Sequence, residues 1–437
     1  MAGSEPKPDE VLLKVDNPVS RLSPNTLGTR VVPIIVLPGI MGTRLSFDGG
    51  ETEWDPDSPV TRMAKWTLMT AQQKARLLNF ETPASIIDED VGRGWTTVAK
   101  SFYRDFLTAM DGKKFLKNVA TPVYAVGFDW RQSNADSGTY LATKVSRILE
   151  IEKANQAIVI THSMGGLVAR SAIKQTRGLS DKILGVIHIA QPVAGAVVLY
   201  RRIFTGALPG WDGDENLTQI LGKTTYEFMI PLSGIPGVFE LLPTQQYRYV
   251  PDDFPSEAEI KNLHGPWESK EKGTRDSMGR TVYPQGVSAR YLSDDSPPGL
   301  FNTAMHGSPN KKDTKKTKSL VQKNIKGAAA FHEKLGLFLH KNTWTLYSTG
   351  LDTDVAVKYP VTHSNDLAYR LKLGDGTVPD ASAAALFVDS FEATIDNVRV
   401  AKNRQFFVKH AEHGAILDNA TIRKMVEQMV YQMIKNS

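Results

Sequence analysis

Ser163 lies where a strand pattern in the chain gives way to a helix pattern. It follows four apolar residues, 157–160, and belongs to the motif Thr161-His162-Ser163-Met164-Gly165-Gly166. An apolar run without alternation is typical of a strand buried on both faces. A sharp turn from such a strand into a helix, with glycines where the backbone is crowded, is a nucleophile elbow that lifts a serine hydroxyl above the sheet. The motif departs from G-x-S-x-G at Thr161, and small-x-Ser-x-Gly also occurs by chance.

A carboxylate and an imidazole follow Ser163 at positions that could complete a catalytic triad. Asp375 stands between two glycines in a loop, and within residues 405–417 the last strand pattern of the chain leads out to His413. The order serine, acid, histidine is that of the α/β-hydrolase fold. In that arrangement His413 accepts the serine proton, while Asp375 fixes the imidazole tautomer and stabilises the imidazolium. We therefore predict Ser163, Asp375 and His413 as catalytic residues.

Neighbouring residues compete for two of these roles. His410 is an alternative base, although the glycine after His413 favours a loop that brings the His413 ring over the elbow. Asp352 and Asp354 are alternative acids. The sequence alone leaves these alternatives open.

Two backbone N–H groups are predicted to stabilise the negative charge of a tetrahedral intermediate. The N–H of Met164 follows the nucleophile at the start of the predicted helix. The apolar run 31–37 predicts a buried strand, and Pro38-Gly39 starts the loop after it. An α/β-hydrolase takes its second oxyanion donor from such a loop, so we assign that donor to the backbone of Ile40.

Asp129 and Arg131 follow another predicted buried strand, residues 122–128. They should therefore lie at the carboxyl edge of the sheet, where α/β proteins gather their ligand sites. These two residues could support the substrate pocket, or they could form a structural ion pair beside it.

The order of these elements predicts one large α/β domain. Apolar strands without alternation, separated by helix patterns, indicate an α/β-hydrolase fold with a mostly parallel sheet, helices on both faces and a large cap or lid insertion. We assign residues 1–30 to a polar N-terminal leader and residues 31–195 to the first part of the core. The strand and helix rhythm lapses over residues 196–340, the predicted cap, and resumes in the second part of the core, residues 341–437.

Composition narrows the chemistry and the location. The 437 residues contain no cysteine, which excludes disulfides, thiol catalysis and cysteine-ligated zinc. We expect no metal and no cofactor, because the acidic stretch 48–57 lacks the spacing of a calcium loop. The N-terminus lacks the pattern of a secretory signal, and no run reaches the roughly 18 apolar residues of a membrane span. A soluble chain, cytoplasmic or exported by a specialised secretion system, is the expectation.

Positive charge is concentrated in one stretch of the chain. The net charge is +5, yet residues 301–341 contain nine lysines against two acidic residues, most densely over residues 311–318. No aromatic residues are interleaved there, which argues against a nucleic-acid partner. The segment is either a solvated, mobile loop or a contact for anionic lipid headgroups. The sequence identifies no protein partner.

Several motifs together resemble those of the lecithin:cholesterol acyltransferase-like family of lipases and phospholipases. They are Pro38-Gly39-Ile40-Met41-Gly42-Thr43-Arg44-Leu45, Phe128-Asp129-Trp130-Arg131, the elbow, Leu241-Leu242-Pro243 and Gly374-Asp375-Gly376-Thr377-Val378-Pro379. The segment Ser348-Thr349-Gly350-Leu351 also resembles the family segment ahead of its acid, which makes Asp352 a poorer candidate. The chain lacks the cysteine pair that stabilises a lid in secreted animal members, and its cap is largely unmatched.

The resemblance implies hydrolysis or transfer of glycerophospholipid acyl groups through an acyl-serine intermediate. The phospholipid or membrane surface would then be the substrate. A bacterial toxin effector that targets membranes fits this expectation. The alternatives are a deacylase for other acyl esters and a catalytically weak lipid-binding protein on the same fold.

Overall fold

A six-stranded sheet forms the centre of the computed structural model. The structure describes residues 30–58, 63–89, 92–205, 220–222, 224–244, 247, 274–275, 281–282, 311–357, 368–387, 392–395, 398–401 and 404–437. In chain order the sheet strands are β1 (Ile34–Leu37), β2 (Val123–Ala125), β3 (Ala157–His162), β4 (Ile183–Ile189), β5 (Thr343–Thr349) and β6 (Gln405–Lys409). Their spatial order is β6-β5-β4-β3-β1-β2, and every pair is parallel. All carboxyl ends of the strands therefore meet at one edge.

Helices cover both faces of this sheet. Val159 of β3 packs into one hydrophobic core, with the helices Asn134–Glu152 and Gly165–Gln175. Its neighbours Ile158 and Ile160 pack into a second core on the opposite face, with the helices Lys100–Met110 and Ala420–Lys435. Burial on both faces explains why the strands are apolar without alternation. The structure thus confirms the predicted α/β-hydrolase fold class.

Shorter elements surround the sheet. The remaining helices are Ala64–Leu68, Ala71–Leu78, Val198–Thr205, Thr225–Leu232, Pro236–Phe239, Lys311–Leu335 and Asp380–Ala383. A three-stranded antiparallel sheet contains Leu45–Phe47, Thr52–Trp54 and Ala84–Ile86. Two-stranded pairs form between Arg30–Val31 and Val119–Ala120, Thr274–Arg275 and Thr281–Val282, Thr353–Val357 and Ala368–Leu371, and Glu392–Ile395 and Val398–Ala401.

The long connection between β4 and β5 corresponds to the predicted cap, residues 196–340. Its described part contains four helices, whereas residues 206–219 and most of residues 245–310 lie outside the described part. The predicted leader, residues 1–30, also lies outside the described part except for Arg30. These domain boundaries remain predictions.

The lysine-rich segment 311–318 forms the start of the helix Lys311–Leu335. Its interpretation as a mobile loop is wrong. Val321 and Ile325 of this helix pack into the first hydrophobic core, and Asn324 Nδ2 donates to the Ser233 carbonyl at 2.7 Å. An apolar face at helical spacing is what fixes the segment as a helix.

Two properties of the described residues bear on membranes and metals. No helix among them combines the length and the apolar character needed to cross a membrane. In the same residues, no group of three or more histidine, aspartate or glutamate side chains is arranged to hold a metal ion.

Glu240 joins the insertion to the core. Its carboxylate is 2% exposed and accepts hydrogen bonds at 2.7 Å from the backbone N–H and the Nδ2 of Asn134, and at 2.6 Å from Ser133 Oγ. It therefore caps the N-terminus of the helix Asn134–Glu152, where a negative charge is favourable. The Glu240 carbonyl also accepts a hydrogen bond from His332 Nε2 at 2.6 Å. One residue thus connects two helices of the insertion to a helix of the core.

The burial of Glu240 predicts a pH dependence of stability. Burial raises the pKa of Glu240 to about 7 from the ordinary value of 4.5. The folded chain then binds more protons than the unfolded chain between these values, so stability falls as pH rises through that range, by roughly 3 kcal/mol at most. Glu240→Gln stays neutral and should lack this contribution.

Urea unfolding of both proteins at about pH 5 and about pH 8 measures the effect. The wild-type free energy of unfolding minus that of Glu240→Gln should decrease at the higher pH. A difference that stays constant between the two pH values would contradict the prediction.

Candidate active site

The turn at Ser163 is a strained connection between β3 and the helix Gly165–Gln175, hereafter the elbow helix. Ser163 has a φ of +52°, a left-handed conformation that non-glycine residues rarely adopt. Its backbone N–H donates to the Ile189 carbonyl at 2.9 Å, which ties the turn to the end of β4. Strain of this kind persists only where the surrounding structure enforces it, and it is concentrated at functional sites.

Close backbone packing requires two glycines around this turn. A Cβ atom on Gly165 would lie 2.5 Å from the Pro38 carbonyl oxygen, and one on Gly39 would lie 2.9 Å from the Ser163 Cβ. Both distances are shorter than real Cβ contacts allow. The loop after β1 and the elbow are therefore held against each other because neither glycine carries a side chain.

His413 and Asp375 lie in line with Ser163. His413 Nε2 is 3.0 Å from Ser163 Oγ, and His413 Nδ1 is 2.7 Å from Asp375 Oδ2. An ionised carboxylate can only accept, so we assign the proton of the neutral imidazole to Nδ1. Nε2 then accepts the Ser163 hydroxyl hydrogen. The arrangement has the hydrogen-bond directions that activate a serine nucleophile.

Backbone contacts fix the Asp375 carboxylate. Asp375 is 1% exposed, and its Oδ1 accepts hydrogen bonds from the N–H groups of Thr377 at 3.0 Å and Val378 at 2.7 Å. Its own carbonyl accepts the N–H of His413 at 2.9 Å. Asp375 therefore holds both the ring and the backbone of His413.

The alternative base and acids occupy other environments. His410 is exposed and its ring lies beside Gly350. Asp352 is exposed, whereas Asp354 is buried and its Oδ2 accepts a hydrogen bond from Arg201 Nε at 2.6 Å. The geometry therefore favours His413 and Asp375 over these alternatives.

The two predicted oxyanion donors flank Ser163. Met164 is the residue between Ser163 and the elbow helix, and Ile40 follows Gly39, which packs against the Ser163 side chain. Within the described part of the chain, neither the Ile40 N–H nor the Met164 N–H donates to a protein acceptor. Both groups are thus available to a developing oxyanion, and their role stays a prediction.

Asp129 and Arg131 form a buried ion pair that supports a neighbouring loop. The Asp129 carboxylate accepts from Arg131 Nε at 2.9 Å and Nη2 at 2.7 Å. Arg131 Nη1 donates to the carbonyls of Leu77 and Asn79, and Nη2 donates to the carbonyl of Thr82. These contacts use all five guanidinium N–H groups. Because no donor is left for a substrate, the geometry favours a structural ion pair over direct support of the pocket.

Two buried residues next to the site were not singled out from the sequence. Tyr103 Oη accepts the N–H of Gly39 at 2.8 Å and lies 3.0 Å from His162 Nδ1. His162 Nε2 lies 3.1 Å from the His413 carbonyl oxygen. Burial, together with the neighbouring His413, lowers the pKa of His162 to about 3. The one sequence signal for this pair was the position of His162 directly before Ser163. Tyr103 gave no signal, because no local pattern connects it to His162.

Parts of the chain are similar to several known proteins. The family model for lecithin:cholesterol acyltransferase matches residues 99–259. A chain of the Tle4–Tli4 complex is 19% identical, with a TM-score of 0.64, over 93% of this chain and 99% of that chain. The mature lipase BlEst2 of Bacillus licheniformis is 12% identical, with a TM-score of 0.32, over 95% and 99%. The uncharacterized protein YJR098C of Saccharomyces cerevisiae is 36% identical over 81 residues, which are 18% of this chain and 12% of that protein.

The sheet topology and the similar structure show that the protein is an α/β-hydrolase by fold. The family match over residues 99–259 then confirms the resemblance to the lecithin:cholesterol acyltransferase family that the motifs indicated.

The packing at the elbow predicts a stability effect. Gly165→Ala should lower the free energy of unfolding by roughly 1–3 kcal/mol, because the added methyl group must push apart two backbone segments. Gly327→Ala is the matched control, since Gly327 lies in the helix Lys311–Leu335 and its added Cβ would meet no atom within 4 Å. The control should gain about 0.5–1 kcal/mol from helix propensity. Denaturant unfolding of both variants measures these changes, and equal stability of the two would contradict the packing argument.

Proposed function

We propose that the protein is a serine esterase that hydrolyses or transfers acyl groups of glycerophospholipids, as a phospholipase A or lipase does. The proposal is carried by one observation, the line of hydrogen bonds from Ser163 Oγ to His413 and from His413 to Asp375. The strained φ at Ser163 and the family match add support.

The proposed first half-reaction is acylation of Ser163. His413 Nε2 takes the hydroxyl proton while Ser163 Oγ attacks the ester carbon, and the oxyanion is stabilised by the N–H groups of Met164 and Ile40. Asp375 stabilises the imidazolium that forms. The imidazolium then protonates the departing alkoxide, so a lysophospholipid leaves and the acyl group stays on Ser163.

The proposed second half-reaction regenerates the enzyme. Water bound near His413 Nε2 loses a proton to the imidazole and attacks the acyl-serine. The imidazolium then returns this proton to the departing Ser163 Oγ, and a free fatty acid is released. An alcohol in place of the water would give an ester by the same steps. Hydrolysis and acyl transfer therefore differ only in the acceptor.

Two alternatives differ from this proposal in what they turn over. A deacylase for other acyl esters would use the same serine on a different substrate. A catalytically weak lipid-binding protein would use the same fold without turnover. The described residues include little of the insertion that would form the acyl pocket, so the acyl substrate is decided by product analysis.

Ser163→Ala provides the main test. Mixed phospholipid vesicles, with and without an added alcohol, should yield fatty acid and lysophospholipid with the wild type and no product above background with the variant. The fold should be retained, because the substitution removes only one small hydroxyl group. Ester formation with the alcohol would establish transferase activity.

Three outcomes would redirect the proposal. Turnover of a soluble short-chain ester without any product from vesicles would favour the deacylase. Vesicle binding without turnover of any ester would favour the lipid-binding protein. Undiminished turnover by Ser163→Ala would exclude Ser163 as the nucleophile.

The start of the helix Lys311–Leu335 offers a cationic surface for the proposed lipid substrate. Lys311, Lys312, Lys315 and Lys316 are exposed, while Thr317 and Val321 face the core. Lysines near an anionic membrane surface contribute about 1 kcal/mol each. A helix that keeps its lysines on one side can present them to headgroups together.

Replacing the lysines of segment 311–318 with glutamine should weaken binding to anionic vesicles by about tenfold or more. The changed residues are Lys311, Lys312, Lys315, Lys316 and Lys318. A control variant replaces the same number of exposed lysines elsewhere, namely Lys117, Lys144, Lys153, Lys424 and Lys435. Vesicle sedimentation compares the two, and equal binding by both variants would reject a specific lipid contact.

A further inference from the structure

A chain of buried hydrogen bonds passes beneath the proposed site without using any group of the triad side chains. It runs from the Gly39 N–H to Tyr103 Oη at 2.8 Å, from Tyr103 Oη to His162 Nδ1 at 3.0 Å, and from His162 Nε2 to the His413 carbonyl at 3.1 Å. Tyr103 is 2% exposed and His162 is 6% exposed. These contacts are therefore shielded from water.

The direction of each hydrogen bond follows from the groups involved. The His413 carbonyl can only accept, so His162 Nε2 must carry a hydrogen. Burial keeps His162 neutral, with a pKa lowered to about 3, so its Nδ1 carries no hydrogen and accepts. Tyr103 then donates its hydroxyl hydrogen to Nδ1 while its oxygen accepts the Gly39 N–H. Each donor in this series of hydrogen bonds has one acceptor, and this arrangement of hydrogens satisfies the Tyr103 hydroxyl and both imidazole nitrogens of His162.

This series of hydrogen bonds connects the two loops that complete the proposed site around Ser163. Gly39 directly precedes Ile40, whose N–H is the proposed second oxyanion donor. His413 is the proposed base. Tyr103 lies on the helix Lys100–Met110, and His162 is the last residue of β3. Two loops far apart in the chain are thus attached to one rigid strand and one rigid helix.

A neutral His162 also suits the charge that develops during turnover. The ring centroids of His162 and His413 are 5.1 Å apart. A positive His162 would repel the imidazolium that His413 becomes in the proposed mechanism. Protonation of Nδ1 would also leave the Tyr103 hydroxyl hydrogen without an acceptor in a buried environment, which is unfavourable.

We propose that Tyr103 and His162 are positioning residues that act as one unit. They hold the loop that carries Gly39 and Ile40, and the backbone of His413, in position relative to Ser163. The inference rests on the proposed function, because it assigns a role in that reaction. Neither residue touches the reacting atoms. Their effect is to keep the base and the oxyanion donor within reach of the same substrate carbon, where small displacements are costly.

Four variants test this inference on a soluble short-chain ester, so that membrane binding does not intervene. Tyr103→Phe removes one oxygen atom, His162→Phe removes both imidazole hydrogen bonds, and a double variant combines them. His162→Gln retains an amide N–H that can reach the His413 carbonyl. Tyr124→Phe and His340→Phe are the matched controls. The first removes the partly buried hydrogen bond from Tyr124 to Glu152, and the second removes the partly buried hydrogen bonds of both imidazole nitrogens, all of them away from the carboxyl edge of the sheet.

The expected result is a loss of kcat with little change in KM. Tyr103→Phe should lower kcat about tenfold and His162→Phe up to about a hundredfold, as expected for misplaced catalytic groups. The double variant should be no slower than His162→Phe, because residues that act as one unit are not additive. His162→Gln should recover part of the loss, and both controls should keep wild-type kcat.

Other results would overturn the inference. Wild-type kcat in both Tyr103→Phe and His162→Phe would remove the positioning role. Losses that multiply in the double variant would show two independent structural effects. If His162→Phe does not fold, Tyr103→Phe and His162→Gln still decide, because each preserves the buried volume and one of the bonds.

Labelling by a fluorophosphonate separates this inference from the proposed function. Ser163 Oγ displaces fluoride from the probe, so the labelling rate reports the assembled base and oxyanion donor without any choice of acyl substrate. Slower labelling of Tyr103→Phe than of Tyr124→Phe would support the inference even if phospholipids are not turned over. Equal labelling rates would reject it. No labelling of wild-type Ser163 would reject both proposals.

Discussion

The left-handed backbone at Ser163 is the constraint around which the carboxyl edge of the sheet is organised. A non-glycine residue with a φ of +52° costs of order 1–3 kcal/mol and must be enforced by its surroundings. β3 is fully buried between two neighbouring strands, and the elbow helix starts immediately after the turn. Gly39 and Gly165 allow the loop after β1 to press against this turn without a clash. The same contact places Gly39, the residue before Ile40, against the Ser163 side chain.

Buried ionisable side chains hold the surrounding loops, and each of them has specific hydrogen-bond partners. The Asp375 carboxylate is bonded to His413 and to two backbone N–H groups. Arg131 uses its guanidinium to fix residues 77–82, and Glu240 uses its carboxylate to cap a helix of the core. Removing water from a charge is costly unless hydrogen bonds replace the water. These groups are therefore rigid anchors, and a site assembled from several loops can keep a fixed geometry.

The insertion between β4 and β5 is attached to the core through polar contacts as well as apolar ones. Arg201 and Asp354 form a buried pair, and Arg170 of the elbow helix donates to the carbonyls of Phe338 and Gly336. Burial lowers the pKa of Arg170 to about 9. The elbow helix thus contacts the residues that directly follow the helix Lys311–Leu335.

Local patterns in the sequence determined the fold class, the elbow and the serine, acid, histidine order. Periodicity and turn glycines act over a few residues, so they can be recognised without knowing the fold. Part of the run 31–37, predicted as a buried strand, is observed as the sheet strand Ile34–Leu37. The lysine segment was misjudged as a possible loop because its apolar face becomes evident only farther along the chain.

Tertiary structure decided which histidine and which aspartate lie beside Ser163. His413 is separated from Ser163 by 250 positions and from Asp375 by 38, so the glycine after it could favour it over His410 but could not decide between them. Tertiary structure likewise turned Arg131 toward the carbonyls of residues 77–82 and brought Tyr103 to His162 across 59 positions. Hydrogen bonds depend on distance and direction between groups that only the folded sheet brings together. The sequence by itself therefore determined which residue types were present, and the folded structure determined which of them contact one another.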